Sequence, residues 1–187
     1  LDLAGARDLD EVRRGIAAKR AGAAWLRIVG YDEAVAGLPD RAMLDQWTGV
    51  GPAKLQDRTG ACWILNSAAM EALSGLALPD GAERDASGEP TGRFWREDAW
   101  LGHHLPRQEL DPRAWSRKMA GYGVAGLTDA GAQNGREEAA IFARWRDSKA
   151  LLQKLVVMGR EDLPNHQAYA RGPLKIHYDE RDMPEFD

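Results

Sequence analysis

The chain has 187 residues, 25 Lys+Arg against 29 Asp+Glu and a formal net charge of −4, with 44% hydrophobic and 29% charged residues. That is a globular composition long enough for one ordinary domain or two small ones, which excludes a disordered, collagenous or coiled-coil chain. A single cysteine, Cys62, excludes an internal disulfide framework and a Cys-rich zinc module, and the mild acidity argues against a nucleic-acid binder.

No apolar run reaches the roughly 18–20 residues that span a bilayer, and no signal peptide opens the chain, so a cytoplasmic protein without a membrane partner is expected. Leu1 stands without Met directly before a helix signal, and Asp187 follows a strand-like run. Both ends predict a piece of something longer.

In chain order, Asp8 with Glu11 three residues on reads as a capping box for a helix through Val12 and Ile16, ending near Gly22. Ala24 to Gly30 is strand-like, and Asp40 caps a short helix over Arg41 to Trp47. Strands follow at Ala53 to Arg58 and Cys62 to Leu65, broken by Thr59-Gly60. Asn66-Ser67 caps a helix over Ala68 to Leu73 that Gly75 closes. The turn-rich stretch Pro79 to Gly92 predicts a surface excursion or hairpin. A short strand at Arg93 to Trp95 and a helix over Glu97 to Leu101 complete an α+β part, residues 1–110.

Beyond Leu110 the pattern changes. Asp111-Pro112 opens a helix through Trp115 and Met119, Gly123 to Asp129 is a strand, and Gly135 to Lys149 is a helix. Leu151 to Met158 and Pro173 to Tyr178 are apolar strands, so residues 111–187 predict parallel βα units.

Few residues suggest chemistry by themselves. His103 and His104 are adjacent, so their side chains diverge and rarely share an ion; a polar loop after a short helix is the plainer reading. His166 lies in a polar surface segment. Lys175, His177 and Asp179 fall on one face of the last strand by its period of two, either a sheet edge in water or the mouth of a barrel. Asp129 ends a strand where α/β folds place sites, though an N-cap or turn carboxylate accounts for it as well. Cys62 lacks a basic neighbour and reads as a buried inert thiol. The seven scattered tryptophans read as core anchors, and Arg136, Arg144 and Arg146 as a solvated helix face. No P-loop, GxGxxG, HExxH, GxSxG or CxxC occurs.

Six segments in order nevertheless resemble one family. They are Leu1 to Ala6 with Leu9-Asp10-Glu11, Gly30-Tyr31-Asp32-Glu33, Arg58-Thr59-Gly60 running to Asn66-Ser67-Ala68-Ala69, Gly88 to Gly92 with Arg96-Glu97, Gly123-Val124 with Thr128-Asp129-Ala130, and Gly172 to Ile176. Together they resemble amidohydrolase family 3, the YtcJ-like branch of the metal-dependent amidohydrolase superfamily.

The resemblance implies a parent enzyme with a (β/α)8 TIM barrel, a small β-sandwich and a large insertion after the first barrel strand. Residues 1–110 would be the α+β insertion domain, and 111–187 a partial barrel running from helix 1 to strand 4. It also implies one or two divalent metal ions, zinc expected, whose histidine and aspartate ligands would lie upstream of Leu1 and downstream of Asp187. Within the chain Lys175 matches a strand-4 lysine that can be carboxylated to bridge two metals, while Asp129 and His177 are candidate substrate-binding positions. The implied reaction is metal-assisted hydrolysis of an amide or other non-peptide C–N bond in a small-molecule substrate, with the fragment alone metal-free and inactive. One departure stands out. Ala61 takes the place where many relatives carry a histidine after the glycine, which points to a different specificity. A stand-alone, non-catalytic binding module of the same ancestry, with a homodimer covering its open strand edges, is the alternative.

Overall fold

The structure, a computed structural model, describes residues 1–20, 23–106 and 110–176. The chain divides into two units, Leu1–Arg107 and Gln108–Asp187.

In the first unit helix α1 (Leu9–Arg20) begins where expected, with Asp8 accepting from the Glu11 amide at 2.8 Å. The Glu11 carboxylate does not close the box on Asp8. It reaches one residue further back, to the Arg7 amide at 2.9 Å and the Arg7 guanidinium at 2.5 Å. Strand β1 (Leu26–Tyr31) follows, then helix α2 (Arg41–Thr48), whose first turn is capped by Asp40 through the Met43 amide at 2.8 Å. Strands β2 (Ala53–Asp57) and β3 (Cys62–Leu65) form a hairpin, and helix α3 (Ser67–Glu71) starts at the cap residue Asn66. The turn-rich stretch is indeed a hairpin, β4 (Ala82–Arg84) with β5 (Pro90–Trp95). Helix α4 (Asp98–His104) takes both neighbouring histidines into its last turn, where a loop was expected.

The sheet runs β1-β2-β3-β5-β4, parallel between β1 and β2 and antiparallel elsewhere. On one face Leu26, Ile28, Leu55 and Ile64 pack with Val12 and Ile16 of α1 and Leu44 and Trp47 of α2. On the other, Trp63, Leu65 and Phe94 pack with Ala69 of α3, Leu73 and Leu101 of α4. Amphipathic helices on both faces thus give the sheet two apolar cores.

Asn66 joins these parts. It is wholly buried, and all its polar capacity is met: Oδ1 accepts from the amides of Ala53 (2.9 Å) and Ala69 (3.0 Å), while Nδ2 donates to Thr48 Oγ1 (3.1 Å) and the Gly51 carbonyl (2.9 Å). Gly92, at φ +87°, passes so close to the Leu65 carbonyl that a Cβ would lie 2.5 Å from it. Both the dihedral and the space demand glycine there.

The second unit contains helix α5 (Arg113–Gly121), strand β6 (Gly126–Asp129), helix α6 (Arg136–Asp147), and strands β7 (Lys154–Gly159) and β8 (Ala170–Leu174). The three strands form a parallel sheet in the order β6-β7-β8. Ala139 and Phe142 of α6 pack over Leu155 and Val157 of β7, with Leu163 and Tyr169 completing the core. Residues 160–169, which join β7 to β8, hold no helix, only two turns and a bridge between His166 and Tyr169. The regular alternation of strand and helix therefore stops at β7.

Three details differ from the sequence reading. The strand expected at 173–178 is β8, set earlier and ending at Leu174, so Lys175 falls just past it. Arg146 is not merely solvated, since its guanidinium donates to the Gln153 carbonyl at 3.0 Å. Trp47 and Trp63 are core anchors, but Trp95 and Trp115 are 39% and 47% exposed. Trp95 keeps its indole N–H satisfied at the surface by donating to Glu83 at 3.0 Å.

Candidate functional site

Parallel βα units gather the carboxyl ends of their strands at one edge of the sheet, where the following loops can build a site. Here that edge carries Asp129 at the end of β6, Gly159 at the end of β7 and Lys175 just past β8.

Asp129 organises the loop behind it. Its Oδ1 accepts from the Gly131 amide at 2.9 Å and from the Asn134 side-chain amide at 2.7 Å. The same Asn134 nitrogen donates to the Met158 carbonyl at 2.8 Å, and the Arg160 amide donates to the Asn134 carbonyl at 2.9 Å. Asn134 is 6% exposed, so this is a buried polar stitch between the β6–α6 loop and the end of β7. Gly159 lies against it, and a Cβ there would strike the Asn134 carbonyl. Neither Asn134 nor Gly159 stood out in the sequence; the Asn134-Gly135 pair directly before a helix was the only signal.

Lys175 is anchored through its backbone, its amide donating to the Gly159 carbonyl at 2.8 Å. The register of β8 is interrupted just before it. Val157 pairs with Arg171 but Gly159 pairs with Leu174, so β8 spends three residues where β7 spends two. That is a β-bulge, with Pro173 inside it, and a bulge reverses the alternation of faces beyond it. Before the bulge Gly172 lies over Val156 and Met158, on the face turned away from α6.

Asp129 is on the opposite face, since it pairs with Val157, which is buried under α6. Lys175 also lies three rungs further along the strands and two strands across. With a rise of about 3.3 Å and strands about 4.8 Å apart, that separates the two backbones by roughly 14 Å. Asp129 and Lys175 therefore stand at one edge of the sheet with their backbones well apart. His177 and Asp179 lie outside the described residues.

Other candidates resolve into local roles. His104 donates Nδ1–H to the Trp100 carbonyl at 2.8 Å and rests on the Trp100 ring at 4.2 Å, with His103 edge-on at 5.0 Å. His166 is exposed and accepts from the Ala168 amide at 3.1 Å. Cys62 is buried, and burial, helped by Asp57, pushes its thiol up to about 12, so it is protonated and inert. Among the described residues no group of three His, Cys, Asp or Glu side chains could hold a metal ion. These residues do not fit a complete metal centre.

No protein-family model matches the chain, and no curated protein matches it. Two solved structures are similar. One is an uncharacterized metal-dependent hydrolase from Pyrococcus horikoshii OT3, at a TM-score of 0.58 and 14% identity over 84% of this chain and 32% of that one. The other is an uncharacterized metal-dependent hydrolase from Pyrococcus furiosus, at 0.55 and 15% over 84% of this chain and 33% of that one. The mixed α/β fold is thus shared with part of these hydrolases, and the chain spans about a third of their length.

Proposed function

We propose that this chain is part of a metal-dependent hydrolase: residues 1–110 an α+β insertion domain, and the residues from 111 on a segment of its (β/α)8 barrel. The reaction in this reading is hydrolysis of an amide or other non-peptide C–N bond of a small molecule, with zinc the expected metal and Lys175 a ligand to it. One observation carries the assignment: in the parallel sheet β6-β7-β8 Lys175 stands just past the carboxyl end of β8, the end of the strands at which barrel sites are built. The likeness of fold to two metal-dependent hydrolases supports it.

Each of the chain's own residues then has a stated task. Lys175 would present its amine to the barrel interior, where a neutral amine can add to CO2, form an N–C bond and release a proton to leave a carbamate with two oxygen donors. Asp129 is assigned the holding of the 130–134 loop, with Asn134 as its partner, in place of substrate contact. The exposed side chains of Leu174 and Ile176, at 56% and 60%, are surface that the rest of the barrel would cover. Alone, the chain is expected to be inactive.

The test is made on the native gene product, whose intact mass is read first and whose bound metal is then counted by elemental analysis with and without Lys175→Ala. A mass more than twice 20.6 kDa, with metal lost in the variant, is the expected result. A mass near 20.6 kDa would instead favour the stand-alone binding module. Unchanged metal in the variant would remove Lys175 from the ligand set.

A further inference from the structure

We propose that the first unit carries a binding site for a small carboxylate-bearing ligand, formed by Arg27, Lys54 and Trp63. Arg27 of β1 and Lys54 of β2 are direct register partners in the parallel pair, so two cations stand side by side on one sheet face. Like charges placed directly opposite across strands are destabilising unless something compensates them.

What compensates them within the chain is incomplete. Both lean over the same indole: the Arg27 guanidinium carbon is 5.5 Å from the Trp63 ring centroid and the Lys54 ammonium 5.1 Å. An aromatic face attracts a cation but neutralises none of its charge. The nearby carboxylate is spoken for, because Asp98 accepts from Trp63 Nε1 at 2.7 Å and so holds the ring in place. Among the described residues no carboxylate forms an ion pair with Arg27 or Lys54. Arg27 Nε is buried and donates to nothing. A buried N–H without an acceptor costs about 1–3 kcal/mol, and native structures retain few of them.

The chemistry of the missing partner follows. It accepts hydrogen bonds in the plane of a guanidinium, which suits the two oxygens of a carboxylate. Arg27 and Lys54 supply two positive charges and Asp98 one negative, so the excess of one matches a monoanion better than a phosphate dianion. The Trp63 ring, buried beneath them, holds the two cations side by side. Burial and the Arg27 charge also push the Lys54 ammonium downward, a strain that a bound anion would relieve. The three residues sit on adjacent strands of one sheet, which fixes their backbones, and the Arg27 guanidinium shifts on the Trp63 ring to open its Nε–H to the ligand.

The experiment is a titration of the whole chain with sodium benzoate at constant ionic strength, reading the Arg27 Nε–Hε resonance by NMR, with inorganic phosphate as comparator. A saturable shift with benzoate, weaker with phosphate and at least about tenfold weaker in Arg27→Gln and Lys54→Met, is expected. No saturation in the unaltered protein, or a shift that sodium chloride reproduces, overturns the site without reference to any variant. Tighter binding of phosphate overturns the carboxylate assignment.

Discussion

Ser116 donates its hydroxyl to Gln153 Oε1 at 2.8 Å, and the Gln153 amide returns a hydrogen bond to the Ser116 carbonyl at 2.9 Å. Neither residue is more than 1% exposed, and the Ser116 hydroxyl also accepts from the Leu152 amide at 2.9 Å. A helix and the chain entering a strand are thus tied by a closed polar loop, all of whose bonds are made out of water.

Ser116→Ala leaves Gln153 Oε1 without its donor and the Leu152 N–H without its acceptor. A loss of about 2–3 kcal/mol in the second unit is expected. Hydrogen exchange of the Leu152 and Lys154 amides checks it, since both should exchange faster while amides in the first unit do not change. Ser116→Ala combined with Gln153→Leu should cost less than the sum of the two, because neither partner is then left unpaired.

Asn66→Ala removes four hydrogen bonds and leaves the Ala53 amide buried without its acceptor, while the Gly51 carbonyl keeps the Arg20 guanidinium at 2.6 Å. A destabilisation of about 3 kcal/mol is expected by urea unfolding followed at Trp47 and Trp63. Asn66→Asp keeps the acceptor but turns a charged oxygen toward the Gly51 carbonyl. It should be equally damaging at neutral pH and partly relieved in acid, where protonation restores a donor.

The Cys62 thiol is ordinarily half ionised near pH 9.0, and burial pushes it up to about 12. The folded state therefore favours the neutral thiol. This contribution is fully present below pH 9 and is lost as pH rises from there toward about 12. Native protein should resist a thiol reagent at pH 8 and react only at the rate of unfolding. Rapid labelling without loss of tryptophan signal would contradict the buried placement.

Glu83 shows the opposite sign. Burial raises its carboxyl, but the Trp95 indole N–H, the Arg93 guanidinium and the Thr91 hydroxyl together hold it below the ordinary 4.5. The stability it contributes is present above pH 4.5 and is lost as pH falls through the lowered folded value. Acid titration should therefore loosen the β4–β5 hairpin, seen as movement of the Trp95 indole resonance. Glu83→Gln should remove that pH dependence and weaken the hairpin already at pH 7.

The first turns of α1, α2 and α3 were legible because a cap is made by residues three apart in sequence. Asp8, Asp40 and Asn66 each accept an amide hydrogen bond there. Parallel pairing of the later strands was legible from their apolar runs. Nothing local indicated that Asn66 also spans three elements, or that Ser116 and Gln153 meet. Those bonds join residues 13 to 37 positions apart, and side-chain periodicity carries no information about which distant donor arrives.

The candidate site divides along the same line. Composition, strand periods and helix caps determined that this is a globular chain of helices and strands with Asp129 at the end of a parallel strand, while Lys175, expected inside its strand, lies just past it. Tertiary pairing decided their surroundings: β8 takes one extra residue and ends before Lys175, whose amide is held by the Gly159 carbonyl, while Asp129 stays on the helix side bound to Asn134. It likewise decided that Arg27 and Lys54 stand side by side over Trp63, since a parallel partner 27 residues away has no counterpart in local sequence. A strand's own period fixes which residues share a face, but only its neighbour sets register and bulge, and those settle what each face meets.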